Sequence, residues 1–144
     1  YDIHDVEAFW ARNPGKIYVL WTTSLARNTG TQVAQDFNNQ MRSYAQQHNM
    51  WLMDVAAIES FTDTGAACDD NRDGVSYCSR RADGTIIECE NYPNDHLNLP
   101  AICQDYTTET DGGHLGSVSG ANIRLAKAFW VMMAKIAGWD GVSP

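Results

Sequence analysis

Apolar residues recur with two different periods along residues 2–57, and their alternation predicts helix, strand, helix, strand. Ile3, Val6, Phe9 and Trp10 fall at helical spacing across 2–12, and Asn13-Pro14-Gly15 stops that helix with a strong turn signal. Ile17-Tyr18-Val19-Leu20-Trp21-Thr22-Thr23 is a continuous apolar, aromatic and β-branched run, the pattern of a strand covered on both faces. From Thr31 to His48, Val33, Phe37, Met41, Tyr44 and Ala45 line one helical face, and Gln35, Asp36, Asn38, Asn39 and Arg42 line the other. Trp51-Leu52-Met53-Asp54-Val55-Ala56-Ala57 reads as a second buried strand, so 17–57 predicts a βαβ unit with a right-handed crossover.

Residues 58–118 show little periodicity apart from Thr85-Ile86-Ile87-Glu88, a short strand. Connections longer than about 15 residues without regular structure are uncommon and usually functional. A last helix runs from Ser119 to Ala137 and stops at Gly138, a favourable C-cap residue. Its polar stripe is narrow, mainly Arg124, Lys127 and Lys135, while Ile123, Leu125, Phe129, Trp130, Val131, Met132, Met133 and Ile136 cover most of the circumference. That distribution predicts a helix deeply buried against a sheet. Two buried parallel strands do not make a stable sheet, however, so neighbouring strands are expected from an N-terminal segment or from other copies of the chain.

Composition bounds the class. At 144 residues the chain is one domain or part of one, and 44% hydrophobic against 19% charged residues is enough for a core. The net charge of -8 is unevenly placed. Residues 59–112 hold twelve acids and three bases, net -9, and the remaining 90 residues hold six acids and seven bases, net +1. A nearly neutral framework is thus interrupted by an acidic excursion at about 59–110 that also carries all four cysteines. No basic patch exists to neutralise phosphates, which argues against a nucleic-acid partner, and no apolar run approaches the roughly 20 residues of a membrane span.

Cys68, Cys78, Cys89 and Cys103 lack the paired CxxC spacing of a zinc site and are expected as disulfides. Closure of the shortest loops favours Cys68 with Cys78 and Cys89 with Cys103. Disulfides imply an oxidising compartment and hence a secreted or cell-surface protein. The chain starts at Tyr1 rather than Met, which predicts further sequence upstream. Within the excursion, Asp69-Asp70-Asn71-Arg72-Asp73-Gly74 matches the start of a calcium loop, with Asp69, Asn71 and Asp73 as ligands and the Val75 carbonyl next. The twelfth position is Arg80 rather than Glu, so an EF-hand is not supported; a structural calcium and a solvated acidic loop remain the alternatives. His4, His48 and His96 show no ligand spacing, and Tyr92, Tyr106 and Trp139 either line a sugar or lipid groove or pack internally.

Asp111-Gly112-Gly113-His114 carries the most specific chemistry. An Asp three residues before a His on a tight turn can hold one imidazole nitrogen and leave the other free as a general base; capping of the following helix is the alternative role. Asp111-Gly-Gly-His114-Leu115-Gly116, followed by Gly120 and Asn122 to Trp130, resembles the last signature block of the SGNH (GDSL-type) hydrolases and the helix after it. Asn13-Pro14-Gly15-Lys16-Ile17 with the run to Thr23 resembles a family turn and strand, Phe37 to Ala45 the next helix, and Trp51 to Ala57 with Asp54 the last core strand. The resemblance covers about 85 residues and leaves out most of the acidic excursion.

It implies an α/β, flavodoxin-like three-layer αβα fold, of which residues 1–144 are the C-terminal portion, with a long disulfide-bearing loop. It also implies a secreted esterase, lipase or carbohydrate deacetylase acting on a small-molecule or carbohydrate ester, requiring no cofactor, with His114 as base and Asp111 as its orienter. The family's Gly-Asp-Ser nucleophile block and the Gly and Asn of its oxyanion hole are absent from these residues, so catalysis would need an N-terminal segment. Ser24, Ser117 and Ser119 are remote substitutes, each better read as a turn or cap residue. The competing expectation is a non-catalytic secreted module, either a calcium-stabilised binding domain or a subunit of an extracellular assembly.

Overall fold

A computed structural model describes residues 2–26, 30–70, 74, 76–91, 94, 96–106 and 120–142. The first helix, α1 (Ile3–Arg12), begins where expected because Asp2 and Asp5 form a reciprocal capping box: the Asp2 carboxylate accepts from the Asp5 amide at 3.4 Å, and the Asp5 carboxylate accepts from the Asp2 amide at 3.0 Å. Strand β1 (Val19–Trp21), helix α2 (Gln32–Gln47) and strand β2 (Trp51–Met53) follow. The two strands pair in parallel, with Val19 opposite Trp51, Leu20 opposite Leu52 and Trp21 opposite Met53, so 17–57 does contain the expected βαβ unit. Thr31 caps α2 by accepting from the Ala34 amide at 3.3 Å.

The second strand ends earlier than its apolar run. Instead of extending to Ala57 it stops at Met53, and Val55–Glu59 forms a short helix, α3. Asp54 makes the difference: its side chain accepts from the Ala57 amide at 3.1 Å, an N-cap that the run of apolar residues concealed.

Side chains alternate across the parallel pair, and helices cover both faces. On one face Val19, Trp21 and Met53 meet the last helix, α4 (Gly120–Ile136): Met132 packs with Met53 and Val55, Leu125, Ala128 and Ile136 flank them, and the Trp21 and Phe129 rings lie 6.0 Å apart. On the other face Leu20 floors a cavity of about 460 Å³ between α1 and α2, walled by Ile3, Val6, Phe37 and Met41. Helix α4 runs against the strand direction. Its first turn, at the fully buried Ala121, packs with Leu25 and Ala56 beyond the strands' carboxyl ends, and its last turn returns to Val19.

The expectation of a deeply buried α4 is corrected. Among the described residues of this helix only Ala121 and Met132 are buried, while Trp130 is 76% exposed and Ile123 57%. Two strands about 5 Å apart are narrower than a helix roughly 10 Å across, so they can cover only one stripe of it. No helix of the described residues is long and apolar enough to cross a membrane.

The acidic excursion contains an antiparallel hairpin of β3 (Ser76–Arg80) and β4 (Ile86–Asn91), of which only the Ile86 end had shown a strand pattern. The disulfides differ from the short-loop expectation: Cys78 joins Cys89, and Cys68 joins Cys103. Backbone pairing decides both. Cys78 and Cys89 are register partners across the hairpin. Cys68 is brought beside Cys103 by the Ala101 amide donating to the Cys68 carbonyl at 3.0 Å and the Asp70 amide to the Leu99 carbonyl at 2.7 Å. Closing a 35-residue separation instead of a 14-residue one costs under about 1 kcal/mol in chain entropy, less than such a ladder contributes. All four cysteines are paired, as in chains that mature in an oxidising environment.

Candidate functional site

The buried polar side chains among the described residues, Thr22, Asn38, Glu59 and Ser60, gather where β1 and β2 end. In α/β sheets ligands bind at the carboxyl ends of the strands. Here that end is built from three loops, each tied to the next by a side chain that the apolar pattern did not single out.

Asp54, directly after β2, is gripped by Arg42 of α2 through two parallel bonds, Nε to Oδ2 at 2.7 Å and Nη2 to Oδ1 at 2.9 Å. The Thr22 hydroxyl donates to the same carboxylate at 3.1 Å and accepts from the Ala56 amide at 2.9 Å, joining the exits of β1 and β2. Burial pushes the Asp54 carboxyl up, but hydrogen bonds from Arg42 and the Ala57 amide, with the charge of Arg42, outweigh it and hold the group below the ordinary carboxylate range. The same bond to Asp54 raises the Arg42 guanidinium further. A carboxylate held ionised and fully engaged in this way orders the site rather than moving protons.

Asn38, fully buried on α2, accepts from the Thr23 amide at 2.8 Å, and its Nδ2 has no partner among the described residues. Glu59, also fully buried, closes α3. Its carboxylate accepts from the Leu25 amide at 2.7 Å and the Ser24 hydroxyl at 2.9 Å, and its backbone carbonyl accepts from the Cys103 amide at 3.0 Å. One residue therefore ties the loop after β1, the loop after β2 and the 101–106 strand of chain together. Ser24 is thereby occupied as a structural donor to a carboxylate, in line with its reading as a turn residue.

Asp111 and His114 lie outside the described residues, as do Ser117, Ser119, Tyr92, Asn71 and Asp73. The described chain on either side of 107–119 is firmly attached. Before it, the 3-10 turn Gln104–Tyr106 is anchored by the Cys68–Cys103 disulfide and by the Tyr106 hydroxyl donating to the Phe61 carbonyl at 2.7 Å. After it, Arg124 of α4 donates to that hydroxyl, with its guanidinium carbon 4.6 Å from the centre of the Tyr106 ring. Burial pushes the Tyr106 phenol up, and the nearby Arg124 only partly opposes this. Tyr106 is thus packed internally, whereas Trp139 is partly exposed and donates its indole N–H to the Val142 carbonyl at 2.8 Å.

Of the three candidate calcium ligands only Asp69 is described, and its backbone pairs with Pro100. The adjoining Asp70 carboxylate accepts from the Gly30 amide at 2.9 Å, using the acidic stretch to hold the 30–31 turn. Among the described residues no group of three His, Cys, Asp or Glu converges as a metal site. His4 bonds Glu7 at 3.1 Å, and His48 stacks on Tyr44 with ring centres 4.1 Å apart. Glu59 and Asn38 were missed by the sequence reading; the available signal was a lone acid closing the Val55-Ala56-Ala57-Ile58 run and an amide on an otherwise solvent-directed stripe. Comparison of the chain with protein-family models, with curated proteins and with solved structures found no match.

Proposed function

We propose that this chain is the C-terminal portion of a secreted SGNH-type serine ester hydrolase with a flavodoxin-like three-layer fold. In this reading His114 is the general base, Asp111 orients it, and the serine nucleophile and oxyanion donors belong to a segment outside these 144 residues. The observation that carries the reading is the position of the two anchors flanking 107–119. The 3-10 turn at Tyr106 and the first turn of α4 at Ala121 share one cluster with Leu25 and Ala56, past the carboxyl ends of a parallel pair, where α/β enzymes assemble their sites.

The chemistry follows from the residue types. His114 takes the proton of the serine hydroxyl as its oxygen attacks the ester carbonyl, and returns it to the departing alcohol; a water then repeats the sequence on the acyl-enzyme. Asp111 fixes the imidazole tautomer and stabilises the imidazolium. Glu59, Tyr106 and the Cys68–Cys103 bridge hold the described chain that leads into 107–119. Supported substrates are small or carbohydrate esters, and the reaction needs no cofactor. The test is hydrolysis of p-nitrophenyl acetate by protein that includes the upstream sequence: His114→Ala is expected to abolish it, and unchanged turnover removes the assignment.

A further inference from the structure

The chain has one pair of successive basic residues, Arg80-Arg81, and it falls at the tip of the β3–β4 hairpin. Residues 59–112 hold three bases among twelve acids, and two of the three stand side by side there, in a Ser79-Arg80-Arg81-Ala82 stretch without an acid. Residues 81–87 are all exposed, and β3 and β4 make a sheet of their own, separate from the β1–β2 pair. Exposed tips of this kind are where endoproteases nick folded chains.

A protease takes its substrate as an extended strand laid beside its own, so the tip has to open first. The turn is closed by the Arg81 amide donating to the Thr85 carbonyl and by the Gly84 amide donating to the Arg81 carbonyl, each at 2.9 Å. That second bond occupies the oxygen a protease must polarise to cut after Arg81. The hairpin allows such an opening to stay local. Its register shifts between Ser79 and Arg80, which sets the 80–86 tip apart from the regular pairs that run from Ser79 with Glu88 to Ser76 with Asn91. The Cys78–Cys89 bridge holds those pairs together while the tip opens. Both disulfides straddle the Arg81–Ala82 bond, since Cys68 and Cys78 precede it and Cys89 and Cys103 follow it.

We propose that Arg81–Ala82 is a processing site for a serine endoprotease whose acidic pockets read paired arginines, and that the product is a two-chain molecule joined by both disulfides. Water adds across the peptide bond: its oxygen ends in the new Arg81 carboxylate, the C–N bond breaks, and the Ala82 nitrogen takes up the proton as an ammonium. The core keeps its shape because Leu25 and Ala56, before the cut, stay packed with Ile102 and Ala121, after it. The site does not depend on the hydrolase reading.

The test is digestion of the protein, disulfides intact, with a dibasic-specific serine endoprotease, followed by mass spectrometry with and without reductant. Without reductant a single species heavier by one water is expected, with unchanged circular dichroism; reduction should release one fragment ending at Arg81 and one starting at Ala82. Arg81→Gln should slow the cut by about a hundredfold or more and Arg80→Gln by about tenfold, because each removes a charge-assisted bond to the protease. Protein from the native source should carry an N-terminus at Ala82. A tip that stays uncut, a first cut elsewhere, unaltered cutting of Arg81→Gln, a protease held in a stable inhibited complex, or native material without the Ala82 terminus overturns the proposal.

Discussion

The Ser24 hydroxyl donates at 2.9 Å to the carboxyl group of Glu59, a side chain with no solvent exposure that also accepts from the Leu25 amide. Removing the Glu59 side chain strands the Leu25 donor in the interior and unties the loop after β1 from α3, while the backbone bond from Cys103 stays. Glu59→Ala should therefore cost about 2–4 kcal/mol, since each buried donor left without its acceptor costs about 1–3 kcal/mol. Glu59→Gln, which can still present an oxygen to Leu25, should cost less. Urea unfolding of both variants checks the order.

The Arg42 and Asp54 pair gives a pH signature. The folded-state Asp54 carboxyl lies below its ordinary value, so its contribution to stability is present above the unfolded value, near 3.8, and is lost as pH falls through the lower folded value. Asp54→Asn should destabilise the chain at neutral pH, and the difference from wild type should shrink toward zero in strong acid. Unfolding measured along a pH series reads this directly; a difference that is constant with pH contradicts it.

The two disulfides should respond differently to reductant. Cys89 is exposed on the hairpin and Cys103 is 1% exposed in the core. Mild reduction followed by alkylation and peptide mapping should label Cys78 and Cys89 first, with the fold retained, and Cys68 and Cys103 only on unfolding. Replacing Cys68 and Cys103 with Ala should cost about 3–4 kcal/mol by the loop-closure relation.

Helix α4 separates buried from exposed apolar residues cleanly. Met132→Ala should cost about 2–4 kcal/mol through the cavity it leaves, whereas Trp130→Ala should stay within about 0.5 kcal/mol in the monomer. Thermal melts of the two variants at low protein concentration compare them.

Periodicity located α1, α2 and α4 and both parallel strands, because a helix or a covered strand writes its spacing into the side chains it buries. It failed at Asp54, where one capping side chain turned an apolar run from strand into helix, and at Ser76–Arg80, a hairpin strand whose Ser-Tyr-Cys-Ser-Arg sequence carries no clear apolar alternation. The disulfide pairing was illegible because sequence separation speaks to loop closure alone, whereas the ladder between 68–70 and 99–101 is non-local. The Asp111 and His114 spacing suggested chemistry, and both residues lie outside the described ones. The polar cluster at the strands' carboxyl ends was not legible, since Glu59, Asn38 and Arg42 acquire their meaning only from partners 12 to 35 residues away in sequence.

The central claim, that Asp111 and His114 activate a serine carried outside these residues, is tested most directly by fluorophosphonate labelling of the protein from its native source, mapped by mass spectrometry. The account predicts one labelled serine outside the 144 residues, with labelling lost in His114→Ala and slowed in Asp111→Ala. No labelled serine, or a label on Ser24, contradicts it.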